Sequence, residues 1–249
     1  MLAEERFSEI LKIIEERKRV TAQELTDLLN TSESTIRRDL TLLNKRGMLK
    51  KIHGGAMAID MTFYAKDDTV EARQMMNQSE KTAIAKYAAS LIEADDFVYI
   101  DAGTTTELMI DFITVKNVTF VTNGMVHARK LVKSGNTAYM LGGELKSSTD
   151  AVVGDVATKQ LSRYNFTKGF FGTNGARIDT GFSTPEVNEA MVKSMAFEHC
   201  SERYVLCDPS KFNQIAPITF ADFNKAQVIT TVIKDATYRN CSNILEVGI

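Results

Sequence analysis

Near the start of the chain, apolar residues recur with helical spacing. Phe7, Ile10, Leu11 and Ile14 form one stripe and predict a helix over about 4–17. Thr21-Ala-Gln-Glu24 has the spacing of a capping box and opens a second short helix carrying Leu25, Leu28 and Leu29. After a break at Asn30-Thr31, Ser32 stands as the N-cap of a third helix that puts Ile36, Leu40 and Leu43 on one face. Gly47 ends that helix, Met48–Ile52 reads as a short strand, and Gly54-Gly55 reads as a flexible tip. Three helices followed by a strand and a Gly-rich tip predict a winged helix-turn-helix over 1–57.

The outward face of the third helix carries Ser34, Arg37, Arg38 and Thr41. Short hydroxyls and two arginines opposite an apolar face suit a helix lying in a DNA groove. Arginine forks onto guanine edges or phosphates, and Ser and Thr donate to phosphate oxygens. Candidate DNA contacts are therefore Ser32, Ser34, Thr35, Arg37, Arg38 and Thr41, with Lys50, Lys51 and His53 on the wing. The competing reading is a surface helix with two solvated arginines, and the flanking helices and wing weigh against it. Between Thr31 and Gly55, six basic residues stand against two acidic ones, a balance of +4 on a chain whose net charge is −2. A locally basic face on an acidic body fits one small module holding DNA.

Periodicity fades over 58–78, which reads as a linker, although Glu71, Arg73, Met75 and Met76 could extend a helix. From 79 to 249 the pattern alternates. A helix over about 80–93 precedes the apolar strand Phe97–Ile100, and further helices precede strands at Val118–Val121 and Ala138–Leu141. Later strands fall at Gly169–Phe171, Tyr204–Leu206 and Val228–Thr231. Strands alternating with helices predict a doubly wound α/β domain with a largely parallel sheet.

Ligands of such sheets bind beyond the carboxyl ends of the strands, and polar or Gly-rich residues stand at five of those ends. These are Asp101 with Gly103, Thr104, Thr105 and Thr106; Thr122 with Asn123; Gly142, Gly143 and Glu144; Gly172 with Asn174; and Asp208 with Lys211. Gly103 lets a ligand approach the backbone, and the hydroxyls and amides that follow suit a phosphate. Asn123, Asp101 and Asp208 suit sugar hydroxyls, while Lys193 or Lys211 could neutralise phosphate charge. Each cluster alone is ordinary turn chemistry; five on one rim point to a phosphorylated polyol.

At 249 residues the chain is long enough for two cores. No apolar run reaches membrane-spanning length, and the first residues lack the order of a secretory signal. Cys200, Cys207 and Cys241 lack metal-ligand spacing and read as reduced cysteines of a cytoplasmic protein without metal or cofactor.

Together these residues resemble the DeoR-type family of bacterial sugar-catabolism repressors. The likeness is carried by Thr35-Ile-Arg-Arg-Asp-Leu40, His53-Gly-Gly-Ala56, Asp101-x-Gly-Thr-Thr105, Thr122-Asn123, Gly142-Gly143, Lys193 and Asp208-x-Ser-Lys211, in order along nearly the whole chain. The resemblance implies an operator-binding head and a sensor domain similar to ribose-5-phosphate isomerase. Within that family, Gly172-Thr-Asn-Gly175 and Gly181-Phe-Ser-Thr-Pro185 look most like the fructose-operon repressors of Gram-positive bacteria. This implies fructose 1-phosphate as inducer, while paired heads binding paired half-sites predict a symmetric homo-oligomer and the head favours a regulator over an enzyme. A sugar-phosphate isomerase with an appended DNA-binding head is the alternative, with Asp101, Glu144, Asp208 and Lys193 as its candidate groups. It ranks second, because a sensor and an isomerase share a pocket but only a regulator needs the head.

Overall fold

The computed structural model describes residues 3–17, 19–45, 48–57 and 70–249. It divides into two compact units, Met1–Met61 and Thr62–Ile249. Gly47 and positions 58–69 of the expected linker lie outside the described residues.

The first unit runs α1 (Ala3–Arg17), β1 (Arg19–Thr21), α2 (Ala22–Leu29), α3 (Glu33–Lys45), β2 (Lys50–Ile52) and β3 (Gly55–Met57). The capping box forms: Thr21 Oγ1 accepts from the Glu24 amide at 3.1 Å, and Glu24 Oε2 accepts from the Thr21 amide at 2.6 Å. Asn30, in the left-handed region at φ 46°, ends α2. Phe7, Ile10 and Ile14 of α1 share a core with Leu25, Ile36, Leu40 and Leu43. The same core holds Asp39, whose Oδ2 accepts from Arg6 Nε at 2.5 Å and so ties α1 to α3.

The wing departs from the sequence expectation in two ways. The strand begins at Lys50 because the Met48 amide still donates to Leu43 O and closes α3, while Leu49 is buried in the core. Gly55 is no flexible tip. It is buried in β3, opposite Thr21 of β1, where a Cβ would lie 2.2 Å from Val20 O. The turn itself falls on His53 and Gly54, the latter at φ +80°. The three strands pair antiparallel in the order β1-β3-β2.

The second unit opens with α4 (Val70–Met75) and α5 (Gln78–Ser90), so the C-terminal part of the expected linker is helical. There follow β4 (Phe97–Ile100), α6 (Thr104–Met109), β5 (Thr119–Thr122), α7 (Met125–Lys133) and β6 (Thr137–Met140). Next come β7 (Glu144–Lys146), β8 (Ala151–Val153), α8 (Asp155–Leu161), β9 (Phe166–Gly172), β10 (Gly175–Arg177), β11 (Gly181–Thr184) and α9 (Val187–Glu198). The chain finishes with β12 (Cys200–Leu206), β13 (Ile218–Ala221), β14 (Gln227–Thr230) and β15 (Ile244–Glu246).

Seven strands form a parallel sheet in the order β15-β14-β12-β9-β4-β5-β6. One face buries Ile84, Ala88, Val98, Phe120 and Leu131 among its core residues; the other buries Tyr99, Phe171, Leu161 and Val192. Helices on both faces make the unit doubly wound. Two smaller antiparallel sheets, β7-β8 and β10-β11-β13, add to the expected pattern. The central strands β12, β9 and β4 end side by side, and those ends carry the chemistry.

A hydrogen bond to a charged group contributes about 1.5–3 kcal/mol. Asp39→Ala is therefore expected to lower the urea-unfolding free energy of the first unit by about that much. Glu33→Ala, which breaks an exposed pair with Arg37, should cost less than about 1 kcal/mol.

Candidate functional site

On the first unit, the outward face of α3 is exposed at Ser32, Ser34, Arg37, Arg38 and Thr41, with Thr35 half-buried. Ser32 Oγ accepts from the Thr35 amide at 3.2 Å, the N-cap geometry, and lies within 3.0 Å of both the Ser34 and Thr35 hydroxyls. The two arginines are not equivalent. Arg37 is held by Glu33 through Nε and Nη2 at 2.9 and 2.6 Å, whereas Arg38 carries no ion pair among the described residues. Thr41 and Lys51 meet each other: Lys51 Nζ donates to Thr41 Oγ1 at 2.6 Å, and the Lys51 amide donates to Asn44 Oδ1 at 2.7 Å. Those bonds fix the wing against α3. Lys50 and His53 are exposed on the wing. The face thus exposes a hydroxyl cluster, a guanidinium without an ion pair among the described residues, and two wing side chains.

In the second unit, an open cavity lies at the ends of β4, β9 and β12. Gly103, Thr104, Thr105, Gly172, Asn174, Lys193, Asp208 and Lys211 line it, all expected from the sequence. Asp101 sits beneath it, fully buried. Its Oδ2 accepts from Lys193 Nζ and from the Gly172 amide, and Lys193 also donates to Gly172 O at 3.1 Å. Burial pushes the Asp101 carboxyl above its ordinary value, opposed by Lys193 and the Gly172 amide.

Thr106, Thr122 and Asn123 are buried supports rather than lining. Asn123 Oδ1 accepts from the Ala102 amide at 2.8 Å and from Tyr99 Oη at 3.1 Å, holding the loop after β4. Thr106 Oγ1 donates to Asp101 O at 2.6 Å, and Thr122 Oγ1 accepts from the Gly124 amide at 3.0 Å. Gly142, Gly143 and Glu144 are not brought to the cavity. They follow the edge strand β6, two strands from β4; Gly142 donates instead to Gln160 Oε1, and Glu144 is exposed at the start of β7.

The cavity also contains residues that the sequence reading passed over. Arg73 and Asn77 come from the stretch read as linker, Lys81 from α5, and Thr149, Thr173 and Glu189 from elsewhere. Lys81 Nζ donates to Arg73 O and to Thr104 Oγ1, and burial pushes its ammonium below the ordinary value, partly offset by Asp208. Arg73 Nε is buried without a partner. Asn77 Nδ2 donates to Asp208 Oδ1 at 2.8 Å. Glu189 accepts from Lys146, Thr149 and Thr184. Burial raises its carboxyl, but Lys193, Lys146 and Thr184 outweigh that and hold it below the ordinary range. A signal for two of these was present: Lys81 shares its helical face with Ile84, Ala85 and Ala88, and Glu189 shares one with Val192, Lys193 and Ala196. A charge in an apolar stripe marks a buried, partnered or ligand-facing group.

The family model described as the DeoR C terminal sensor domain matches residues 76–235, and that described as the DeoR-like helix-turn-helix domain matches residues 6–62. The chain belongs to the DeoR family. This DeoR-family chain is 42% identical over 241 residues to the uncharacterized HTH-type transcriptional regulator FruR of Bacillus subtilis (strain 168), covering 96% of this chain and 95% of that protein. It is 33% identical over 235 residues to the lactose phosphotransferase system repressor of Staphylococcus aureus (strain NCTC 8325 / PS 47), covering 93% and 91%. Ribose 5-phosphate isomerase A from Methanocaldococcus jannaschii aligns over 55% of each chain at 15% identity, with a TM-score of 0.42 too low to carry an argument. A DeoR-family member is a DNA-binding transcriptional regulator, and among the described residues no helix is long and apolar enough to cross a membrane.

Two expectations follow. Arg38→Ala should weaken binding to operator DNA by about 1–3 kcal/mol, the worth of a base-contacting arginine, with a smaller loss for Arg37→Ala; anisotropy titrations compare them. His127, beneath the Gly103 loop with Nε2 3.1 Å from Gly103 O, is pushed by burial from 6.5 down to about 4. Below pH 6.5 the unfolded chain takes up a proton that the folded chain refuses. Stability should therefore fall as pH drops from 6.5 to 4, by about 3 kcal/mol in total. His127→Gln should remove that part of the slope in urea unfolding followed across this range.

Proposed function

We propose that this DeoR-family regulator is a repressor of a sugar-utilisation operon, and that a phosphorylated sugar in the second-unit cavity releases it from its operator. The observation that carries this reading is the pair of cations at the Gly103–Thr105 loop. Lys81 and Arg73 face the cavity with no carboxylate bonded to either among the described residues, so a phosphate dianion beside Thr104 would supply a counter-charge. Across the cavity stand groups suited to hydroxyls. Thr184 gives its one proton to Glu189 Oε2, and the carboxamide of Asn174 and the carboxylate of Asp208 line the cavity as donor and acceptor for ligand hydroxyls. Fructose 1-phosphate is the inducer proposed first, in keeping with the FruR likeness.

The cavity carboxylates suit a sensor better than an isomerase. Asp101 is bonded to Lys193, both oxygens of Glu189 accept from side chains, and Asp208 Oδ1 accepts from Asn77 and Ser210. An isomerase base must be free to take a proton from substrate carbon. Release requires that the sugar bind the two states of the protein with different affinity. The contact through which it would act is Arg73, on the helix that follows the segment joining the two units.

The test is fluorescence anisotropy of labelled DNA from the gene's own upstream region. Fructose 1-phosphate should release the protein, while fructose 6-phosphate and free fructose should not. Tight binding that fructose 1-phosphate leaves undisturbed would overturn the fructose assignment, and turnover of ketose and aldose phosphates at ordinary enzymatic rates would overturn the non-enzymatic one.

A further inference from the structure

The seven-stranded sheet ends on β6, and among the described residues no strand pairs with that edge. Edge strands of folded proteins are usually blunted by lysine, proline, a bulge or a covering element, because a free row of amides and carbonyls pairs with another chain. Thr137-Ala-Tyr-Met140 has none of the residue devices, and among the described residues its only ladder is to β5. Tyr139 is 55% exposed and Met140 47%, and apolar exposure continues on the helix before the strand, at Val132, and on the strand after it, at Leu145. The opposite edge differs: Ile244 and Leu245 of β15 are partly buried against the core, and the strand ends on Glu246, which accepts from the Ile233 amide.

We infer that β6 pairs antiparallel with β6 of a second copy of this chain, extending the seven-stranded sheet across a two-fold axis. An antiparallel edge is self-complementary about such an axis, as an isologous interface requires. Ala138 packs under α7 with Leu131, so Tyr139 points to the other face of the sheet. With the two-fold perpendicular to the sheet and centred on Tyr139, which is 55% exposed, the faces stay continuous and Tyr139 lies opposite the partner's Tyr139. Ala138 then lies opposite the partner's Met140, small against large. The same arrangement turns the Lys133 end of α7 toward the partner's Glu144, which matches opposite charges. That the occupant is a second copy, rather than another protein, also rests on reading the first unit as an operator-binding head, since paired heads read paired half-sites.

The experiment is sedimentation velocity on the full chain without DNA, which keeps it independent of the operator reading. The 27.7 kDa protomer should sediment as a dimer or a multiple of one, and Tyr139→Lys should halve the mass. Directly opposed strand residues have Cα atoms about 4.5–5.5 Å apart, within disulfide reach. Tyr139→Cys should therefore form a disulfide-linked dimer under mild oxidation, while Tyr87→Cys on α5 should not. If Tyr139→Lys fails to fold, the cysteine variant decides alone. A monomeric wild-type chain, an oligomer whose mass Tyr139→Lys leaves unchanged, or a Tyr139→Cys variant that links no better than Tyr87→Cys would overturn the interface.

Discussion

The cavity depends on one buried ion pair, Asp101 with Lys193. Neither charge could stay in the interior alone, because desolvation costs several kcal/mol per ion and is recovered only by a close, hydrogen-bonded partner. The pair therefore forces three elements together: the end of β4 through Asp101, α9 through Lys193, and the end of β9 through the amide and carbonyl of Gly172. Once these are fixed, the loop after Asp101 has one course. Asn123 holds it at Ala102, and His127 and Thr106 hold it at Gly103.

The first unit follows the same physics on a smaller scale. Among the described residues, a core of eleven buried apolar side chains is crossed by the pair Arg6 with Asp39, and that pair sets the rotation of α3 about its own axis. With Asp39 and Leu40 inward, Ser34, Arg37 and Arg38 must face out. The wing is then pinned to α3 through Lys51, Thr41 and Asn44, and Gly55 closes against β1, where no side chain fits. The reading face is therefore a consequence of how the core is charged as well as of how it is filled.

Much of this was legible in the residues. Apolar runs such as Phe97–Ile100 and Tyr204–Leu206 announce buried parallel strands, and the stripes of α1 and α3 announce amphipathic helices. The small sheet β10-β11-β13 was not legible, because Gly175-Ala-Arg177 and Gly181-Phe-Ser-Thr184 are fully buried yet carry no alternation. Strand order was not legible either. Five polar strand ends read as one rim, but β6 lies at the sheet edge, so Gly142 to Glu144 fall away from the ends of β4, β9 and β12. Arg73 and Asn77 were lost for local reasons: a polar six-residue helix has no periodicity to distinguish it from a linker, and Asn77 stands in the break between that helix and α5. Their importance comes from contacts at long sequence separation, such as Asn77 to Asp208.

The central claim is that a sugar phosphate seats its phosphate at Lys81 and Thr104. Isothermal calorimetry of fructose 1-phosphate binding to the chain and to Lys81→Met tests it most directly. A charge-assisted hydrogen bond contributes about 1.5–3 kcal/mol, so the expected result is an affinity lower by about 10- to 100-fold in Lys81→Met, with DNA affinity unchanged in the absence of sugar. Equal affinities for the two proteins, or no heat of binding to either, would contradict it.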